Sequence, residues 1–307
     1  MKAPKIKPLR LVLLAILCLF LLLPSCILWQ QVQEKEKQSF SFAFLTDIHV
    51  MERRSAGEGF AKAIDTVNGL DPNFVLTGGD LILDALGQNE ETAESYYRLY
   101  NTVSKSFAMP VYNTIGNHDI FGIYEESGVD PSHPLYGKKM YEKRIGKRFY
   151  AFNHKGWRFY ILDSIGIENG KYFGHVGDTQ LAWLKEDLKS VPPTTPIAIS
   201  VHIPMITTRT QLLKGAREAN KKGLVIDNSK EVLAIFRHHN VKLVLQGHLH
   251  LYEDIYAKEI HFITGGSVAS AWWGGPREGM EEGFMMLHVE GDDITSEYID
   301  YGWHAKK

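Results

Sequence analysis

The sequence predicts an α/β fold, and two observations carry that prediction. From Phe40 onward, short apolar runs rich in β-branched and aromatic residues alternate with helical stretches. Five short polar motifs also sit directly behind five of those runs, the position at which open α/β sheets gather ligand groups. Hydrophobic residues make up 44% and charged residues 23% of the 307, which is ordinary for a globular chain.

Taken in order, Phe40 to Thr46 reads as a strand. Gly59 to Leu70 reads as an amphipathic helix with Ala61, Ile64 and Val67 on one face. Asn73 to Thr77 is a strand, Glu90 to Phe107 a helix and Val111 to Ile115 a third strand. Ile120 to Lys147, rich in Gly, Pro and charge, reads as a long surface excursion. Phe149 to Phe152 and Trp157 to Leu162 flank Asn153-His154-Lys155-Gly156, a hairpin turn. Asp178 to Ser190 is a helix with Asp178 as N-cap and Leu181, Leu184 and Leu188 inward. Ile197 to Val201 is a strand, Lys230 to His238 a helix and Val241 to Leu245 a strand. The remainder, with His261 to Thr264, Phe284 to Val289 and Ile294 to Tyr301, is mostly β. No repeat or linker divides residues 40–307, so a single domain is expected there.

The N-terminus follows a different pattern. A basic stretch with Lys2, Lys5, Lys7 and Arg10 precedes an apolar run from Leu11 to Leu23, then Pro24, Ser25 and Cys26. The run is shorter than the ~20 residues of a spanning helix and has the proportions of a secretory signal. Leu23-Pro24-Ser25-Cys26 resembles a bacterial lipobox, which implies removal of residues 1–25 and a lipid on Cys26. Residues 26–39 would then form a polar tether, and the protein is expected to be exported to the bacterial cell envelope and anchored on a membrane. The rival reading is an uncleaved anchor continuing through Ile27, Leu28 and Trp29. Cys18 and Cys26 are the only cysteines, so residues 40–307 offer no disulfide, no thiolate metal site and no cysteine nucleophile. Outside the first ten residues the charge balance is acidic, which argues against nucleic acid as a partner.

The motifs are Asp47-Ile48-His49, Gly78-Gly79-Asp80, Gly116-Asn117-His118-Asp119, His202 and Gly247-His248-Leu249-His250. In an extended segment residues i and i+2 share a side, which lets Asp47 with His49, and His248 with His250, reach one ion together. Gly78, Gly79 and Gly116 let backbone crowd a site. A donor set of nitrogen and oxygen suits Zn, Fe or Mn.

The five blocks resemble the calcineurin-like metallophosphoesterase superfamily, whose pattern runs D-x-H, G-D, G-N-H-[DE], H and G-H-x-H. The resemblance covers Phe42 to His250. It implies a four-layer αββα sandwich of two mixed β-sheets flanked by helices, with the site at the strand C-terminal ends. It further implies two divalent cations, Mn, Fe or Zn. Asp47, His49 and His250 would hold one, Asp80 would bridge, and Asn117, His202 and His248 would complete the other. His118 would stay free of metal and protonate the leaving oxygen, with Asp119 orienting it. The implied reaction is hydrolysis of a small phosphate ester, diester or monoester, by a hydroxide held between the ions.

The other histidines, His133, His154, His261, His288 and His304, read as ordinary surface residues, and His238-His239 as a helix-end dipole contact. Asp163 reads equally as a turn residue or a pocket neighbour. Trp272, Trp273, Arg277 and Arg209 are candidates for substrate contact, against simple packing of the tryptophans, and Tyr172-Phe173-Gly174-His175 is a weaker candidate of the same kind. Leu83 stands where purple acid phosphatases carry a tyrosine ligand, and Gly79 to Ala85 departs from the protein-phosphatase pattern; both features point to compact phosphodiesterase-like members. The alternative of another class is a non-catalytic envelope binding protein with a structural metal site.

Overall fold

The structure is a computed structural model that describes residues 39–306; the expected signal peptide, tether and Cys26 fall before them, apart from Ser39. In chain order the elements are β1 (Phe40–Leu45), α1 (Ala56–Leu70), β2 (Phe74–Thr77), α2 (Glu90–Val103), β3 (Val111–Tyr112), α3 (Lys139–Arg144), β4 (Tyr150–His154) and β5 (Trp157–Ile161). They continue with β6 (Ile165–Glu168), β7 (Lys171–Gly174), α4 (Asp178–Leu188), β8 (Pro196–Ser200), α5 (Arg209–Lys214), α6 (Ser229–Ile235) and β9 (Asn240–Gln246). The chain closes with β10 (Tyr252–Ala257), β11 (Ile260–Gly265), β12 (Gly283–Glu290) and β13 (Asp293–Asp300).

Two large mixed sheets form, ordered β13-β12-β1-β2-β3 and β10-β11-β9-β8-β5-β4. Strand alternation explains how they stack. Phe40, Phe42 and Phe44 of β1 join Phe74, Leu76, Met285 and Leu287 in a core shared with Trp157, Phe159, Ala198, Leu243 and Ile263 of the other sheet. The Phe42 ring meets Phe159 edge-on at 5.7 Å between centroids. The intervening residues, Ala43 and Leu45, turn to the other face and join Phe60, Ile64 and Val67 of α1. On the second sheet Tyr160, Ile197 and Ile199 pack outward in the same core as Leu181, Leu184 and Leu188 of α4. Each sheet is therefore covered on both faces, which gives the four layers expected from the resemblance.

Some local expectations need correction. The cap of α4 is Gly177, with extended backbone, and Asp178 opens the helix instead; there its carboxylate still meets the positive end of the dipole. The helix from Glu90 stops at Val103, and Ser104–Ser106 tightens into a 3-10 turn. The excursion at 120–147 contains α3. The hairpin between β4 and β5 turns on Lys155 and Gly156, both at positive φ, because such a pair matches the strand twist. The hairpin β6-β7 has no strong sequence signal: only two of its eight strand residues, Ile165 and Gly174, are buried.

Candidate metal centre

The strands preceding the five motifs are β1, β2 and β3 in one sheet and β8 and β9 in the other. β1, β2 and β3 pair in parallel, as do β8 and β9. Their carboxyl ends lie together, so the first sheet delivers Asp47, His49, Asp80 and Asn117 and the second delivers His202, His248 and His250. Asp47, His49 and His250 form one group able to hold a cation, and Asp80, His202 and His248 form another.

The loops do not work as extended segments. Asp47, His49, Asp80, His248 and His250 all have φ between 45° and 71°, a left-handed region that non-glycine residues rarely occupy without cause. Backbone bonds between the motifs hold them there. Asp47 N–H donates to Gly79 O at 3.0 Å and His49 N–H to Asp80 O at 2.9 Å. His248 N–H donates to Asp47 Oδ2 at 2.9 Å, and His118 N–H to Asp80 Oδ1 at 2.8 Å. The i, i+2 pairs do converge, but through this lacing rather than through strand geometry.

Gly116 makes one of the closest approaches. A Cβ there would lie 2.1 Å from Asp80 N and from its Oδ1, with no room for either to retreat. Gly116→Ala is expected to cost about 1–3 kcal/mol as an overpacking change. It should also displace Asp80 enough to lower cation affinity, both checked by denaturant unfolding and metal titration.

The tautomers of three imidazoles are fixed from outside. His49 Nδ1 lies 3.3 Å from Leu83 O, His202 Nδ1 2.7 Å from Gly78 O and His250 Nδ1 2.6 Å from Ser270 O. Each Nδ1–H donates to its carbonyl, so the neutral form of each ring turns an Nε2 lone pair inward, the arrangement found behind metal-ligating histidines. His49 Nε2 and His250 Nε2 then face one another at 3.1 Å; two lone pairs at that distance repel unless a cation lies between them. His250 Nε2 is 3.2 Å from Asp47 Oδ1, and Asp80 Oδ2 stands 3.1 Å from His202 Nε2 and 3.7 Å from His49 Nε2. Asp80 thus reaches both groups. Asn117 brings Oδ1 to 3.0 Å from His202 Nε2, while its buried Nδ2 has no partner among the described residues. The donors present fit a pair of divalent cations with oxygen and imidazole ligands.

Electrostatics agree. Burial alone would raise the Asp47 carboxyl, but His250 and His202 hold it down at about 2. Burial pushes His49 down to about 3 and His248 to about 4, against the pull of the carboxylates. His202 goes the other way: burial opposes its charge, yet Asp80 outweighs burial and lifts it to about 9. A cation taken up below that pH must expel the His202 proton. Manganese affinity is therefore expected to rise with pH between about 6 and 9, by up to about tenfold per unit. Titration calorimetry at three pH values checks this.

His118 stands beside these groups without joining either. Its ring is 5.0 Å from that of His49, and its side chain keeps 28% of its surface exposed. Asp119 does not orient it. The Asp119 carboxylate is buried and accepts N–H bonds from Leu81, Ile82 and Gly116, tying the loop after β3 to the loop after β2. Burial and the nearby Asp80 charge push it up to about 7. The partner of His118 is Asp84, whose Oδ1 lies 2.9 Å from His118 Nδ1. The sequence carries the signal for this residue, a second acidic position four beyond Asp80, but chain adjacency favours Asp119. Burial lowers the tendency of His118 to hold a proton, but Asp80 and Asp84 more than restore it, so its pKa lies above the ordinary value.

The remaining candidates separate. Trp273 is fully buried and donates its indole N–H to Ile48 O and His49 O, so it supports the first loop from beneath. Trp272 lies 4.8 Å from the His250 ring and 5.8 Å from His49, with Arg277 over it at 5.0 Å. Arg209 is paired with Glu278. Asp163 accepts from Lys138 and Arg148, each at 2.7 Å, and caps its own turn at Ile165 N–H; it is structural. Nothing in the sequence singles out Ser164, yet its Oγ accepts from His202 N–H and Ile203 N–H and so sets the loop that carries His202.

Comparison with known proteins agrees with this geometry. The family model described as Calcineurin-like phosphoesterase matches residues 40–252. A 3′,5′-cyclic-nucleotide phosphodiesterase of Nostoc sp. is 26% identical over 238 residues, 74% of this chain and 78% of that protein. A 3′,5′-cyclic adenosine monophosphate phosphodiesterase of Haemophilus influenzae is 26% identical over 71% of this chain and 73% of its own. Among solved structures, a dimetal phosphatase from Danio rerio superposes with a TM-score of 0.60 over 85% of this chain and 96% of that one, at 15% identity, a likeness of fold.

Proposed function

The chain belongs to the calcineurin-like phosphoesterase family and is a metal-dependent phosphoric ester hydrolase; from that premise we propose that it cleaves small phosphodiesters, cyclic nucleotides among them. One cation would be held by Asp47, His49, His250 and Asp80, the other by Asp80, Asn117, His202 and His248. The observation that carries this reading is the inward turn of three imidazole Nε2 lone pairs toward two buried carboxylates, with His118 alongside but unshared. The cyclic-nucleotide preference is supported by the activities for which the two bacterial relatives are named.

When bound, the two cations would polarise the phosphoryl oxygens and make a nucleophile available near neutral pH. The chain's own groups do the rest. Asn117 Nδ2, a buried donor without a partner among the described residues, can bond a phosphoryl oxygen. As the P–O bond to the leaving alcohol breaks, His118 gives that oxygen a proton from Nε2, because Nδ1 is engaged by Asp84. Asp84 keeps the ring turned and its proton in place. Trp272, packed against His250 and His49, walls the centre on that side.

Manganese-loaded protein should hydrolyse bis-p-nitrophenyl phosphate and cyclic adenosine monophosphate. Bound metal with no turnover on diesters, monoesters or pyrophosphates would instead favour the envelope binding protein.

The segment Leu23 to Cys26 supports export and lipid attachment at Cys26. Cys26→Ser should move the protein out of the membrane fraction of expressing cells; an unchanged distribution would support the uncleaved anchor.

A further inference from the structure

A cavity of about 950 Å³ lies beside the metal centre, and none of the metal-ligand candidates lines it. One wall is the segment from Gly122 to Glu126. Backbone bonds from Gly122 N–H to Ala85 O and from Tyr124 N–H to Leu86 O, each 2.9 Å, fix this wall to the residues immediately after Asp84, the carboxylate on His118. The facing wall is the hairpin end at Asn169 to Tyr172. The Tyr172 ring stands edge-on to His248, 6.1 Å between centroids. The two walls meet at the back, where a Cβ on Gly170 would touch Ile123 O at 3.0 Å. The cavity therefore adjoins the part of the centre where Asp84 holds His118.

Its size and lining select an occupant. It stands near the top of the usual range of ligand cavities, so a phosphate group alone leaves most of it empty. Three phenols, Tyr124, Tyr136 and Tyr172, line it with Lys171, Lys221 and Leu224. Neither Tyr124 nor Tyr172 has a hydrogen-bond partner for its hydroxyl among the described residues. Phenol rings offer faces for stacking any nucleobase, and the hydroxyls and ammonium groups suit a sugar and ring nitrogens.

We propose that this cavity is the nucleoside pocket of the enzyme, with Tyr172 and Tyr124 as its specificity-determining residues. The inference rests on the phosphodiesterase reading above and names the organic part of its substrate. The phosphodiester lies at the metal centre, and the sugar and base extend past His118 between the two tyrosines.

The test is titration calorimetry of the manganese-loaded full chain with adenosine 5′-monophosphate and, separately, inorganic phosphate. The nucleotide should bind at least tenfold more tightly. Tyr172→Ala and Tyr124→Ala should each bring the ratio of the two affinities toward one, whereas Tyr172→Phe should retain most of it. Leu224→Trp, which fills the cavity and leaves both tyrosines in the sequence, should also lower the ratio. Equal affinity for nucleotide and phosphate in the unaltered protein, or a ratio that survives the alanine and tryptophan changes, overturns the pocket alone. If phosphate does not bind and bis-p-nitrophenyl phosphate is not cleaved, the phosphodiesterase reading fails and takes the pocket with it.

Discussion

Asp80→Asn is expected to lower turnover by at least about a thousandfold and to reduce the metal content of the purified protein. Asp80 is the one carboxylate among the described residues within reach of both ligand groups, 3.1 Å from His202 Nε2 and 3.7 Å from His49 Nε2. Its Oδ1 also accepts the His118 N–H. The amide keeps the shape but removes the negative charge, which leaves two cations to be held close together with one buried carboxylate, Asp47. Electrostatic stabilisation by fixed groups contributes heavily to catalysis; loss of one preorganised donor alone costs about 10²–10³ in turnover, and loss of a bridging charge should exceed that. Metal analysis beside the kinetics separates a lost ion from a lost catalytic group. Full activity with two metals bound would contradict the bridging role.

His118→Ala is expected to act differently. No metal group includes His118, so metal content should stay at the unaltered level while turnover falls by about 10²–10⁴, the usual share of a positioned acid. The deficit should shrink for substrates whose leaving group is already acidic, such as p-nitrophenyl esters, because p-nitrophenolate departs without a proton. Asp84→Ala should show the same dependence on leaving group with a smaller loss, since the imidazole remains but its Nδ1 partner is gone. An Asp119→Ala variant should lose stability instead, because three backbone N–H groups lose their acceptor. A leaving-group dependence in Asp119→Ala that is absent from Asp84→Ala would reverse these assignments.

Much of this molecule is legible in the sequence because its strands announce themselves twice. Phe40, Phe42 and Phe44 alternate with Ala43 and Leu45, so β1 must bury two different faces, and each site-bearing run ends in a motif too polar to continue it. The gathering of Asp47, His49, Asp80, Asn117, His202, His248 and His250 follows from that placement. What escapes the sequence is conformation within the loops. Spacing alone suggests extended i, i+2 pairs, whereas the residues sit at positive φ and are held by bonds from loops distant in the chain. The same blindness makes Asp119 the natural partner of His118, although the chain turns between them and brings Asp84 across. The sequence marks Tyr172 to His175 only as a weak substrate contact, and the β6-β7 hairpin with the cavity it borders stays hidden because residues such as Ile167 and Lys171 show no burial pattern.

The central claim is that carboxylate, amide and imidazole groups from both sheets together hold a pair of cations. Anomalous scattering from crystals of manganese-loaded protein tests it most directly. Two peaks about 3.5–4 Å apart, one among Asp47, His49 and His250 and one among Asn117, His202 and His248 with Asp80 between them, are the predicted result. A single peak, or manganese bound only away from these side chains, would contradict it.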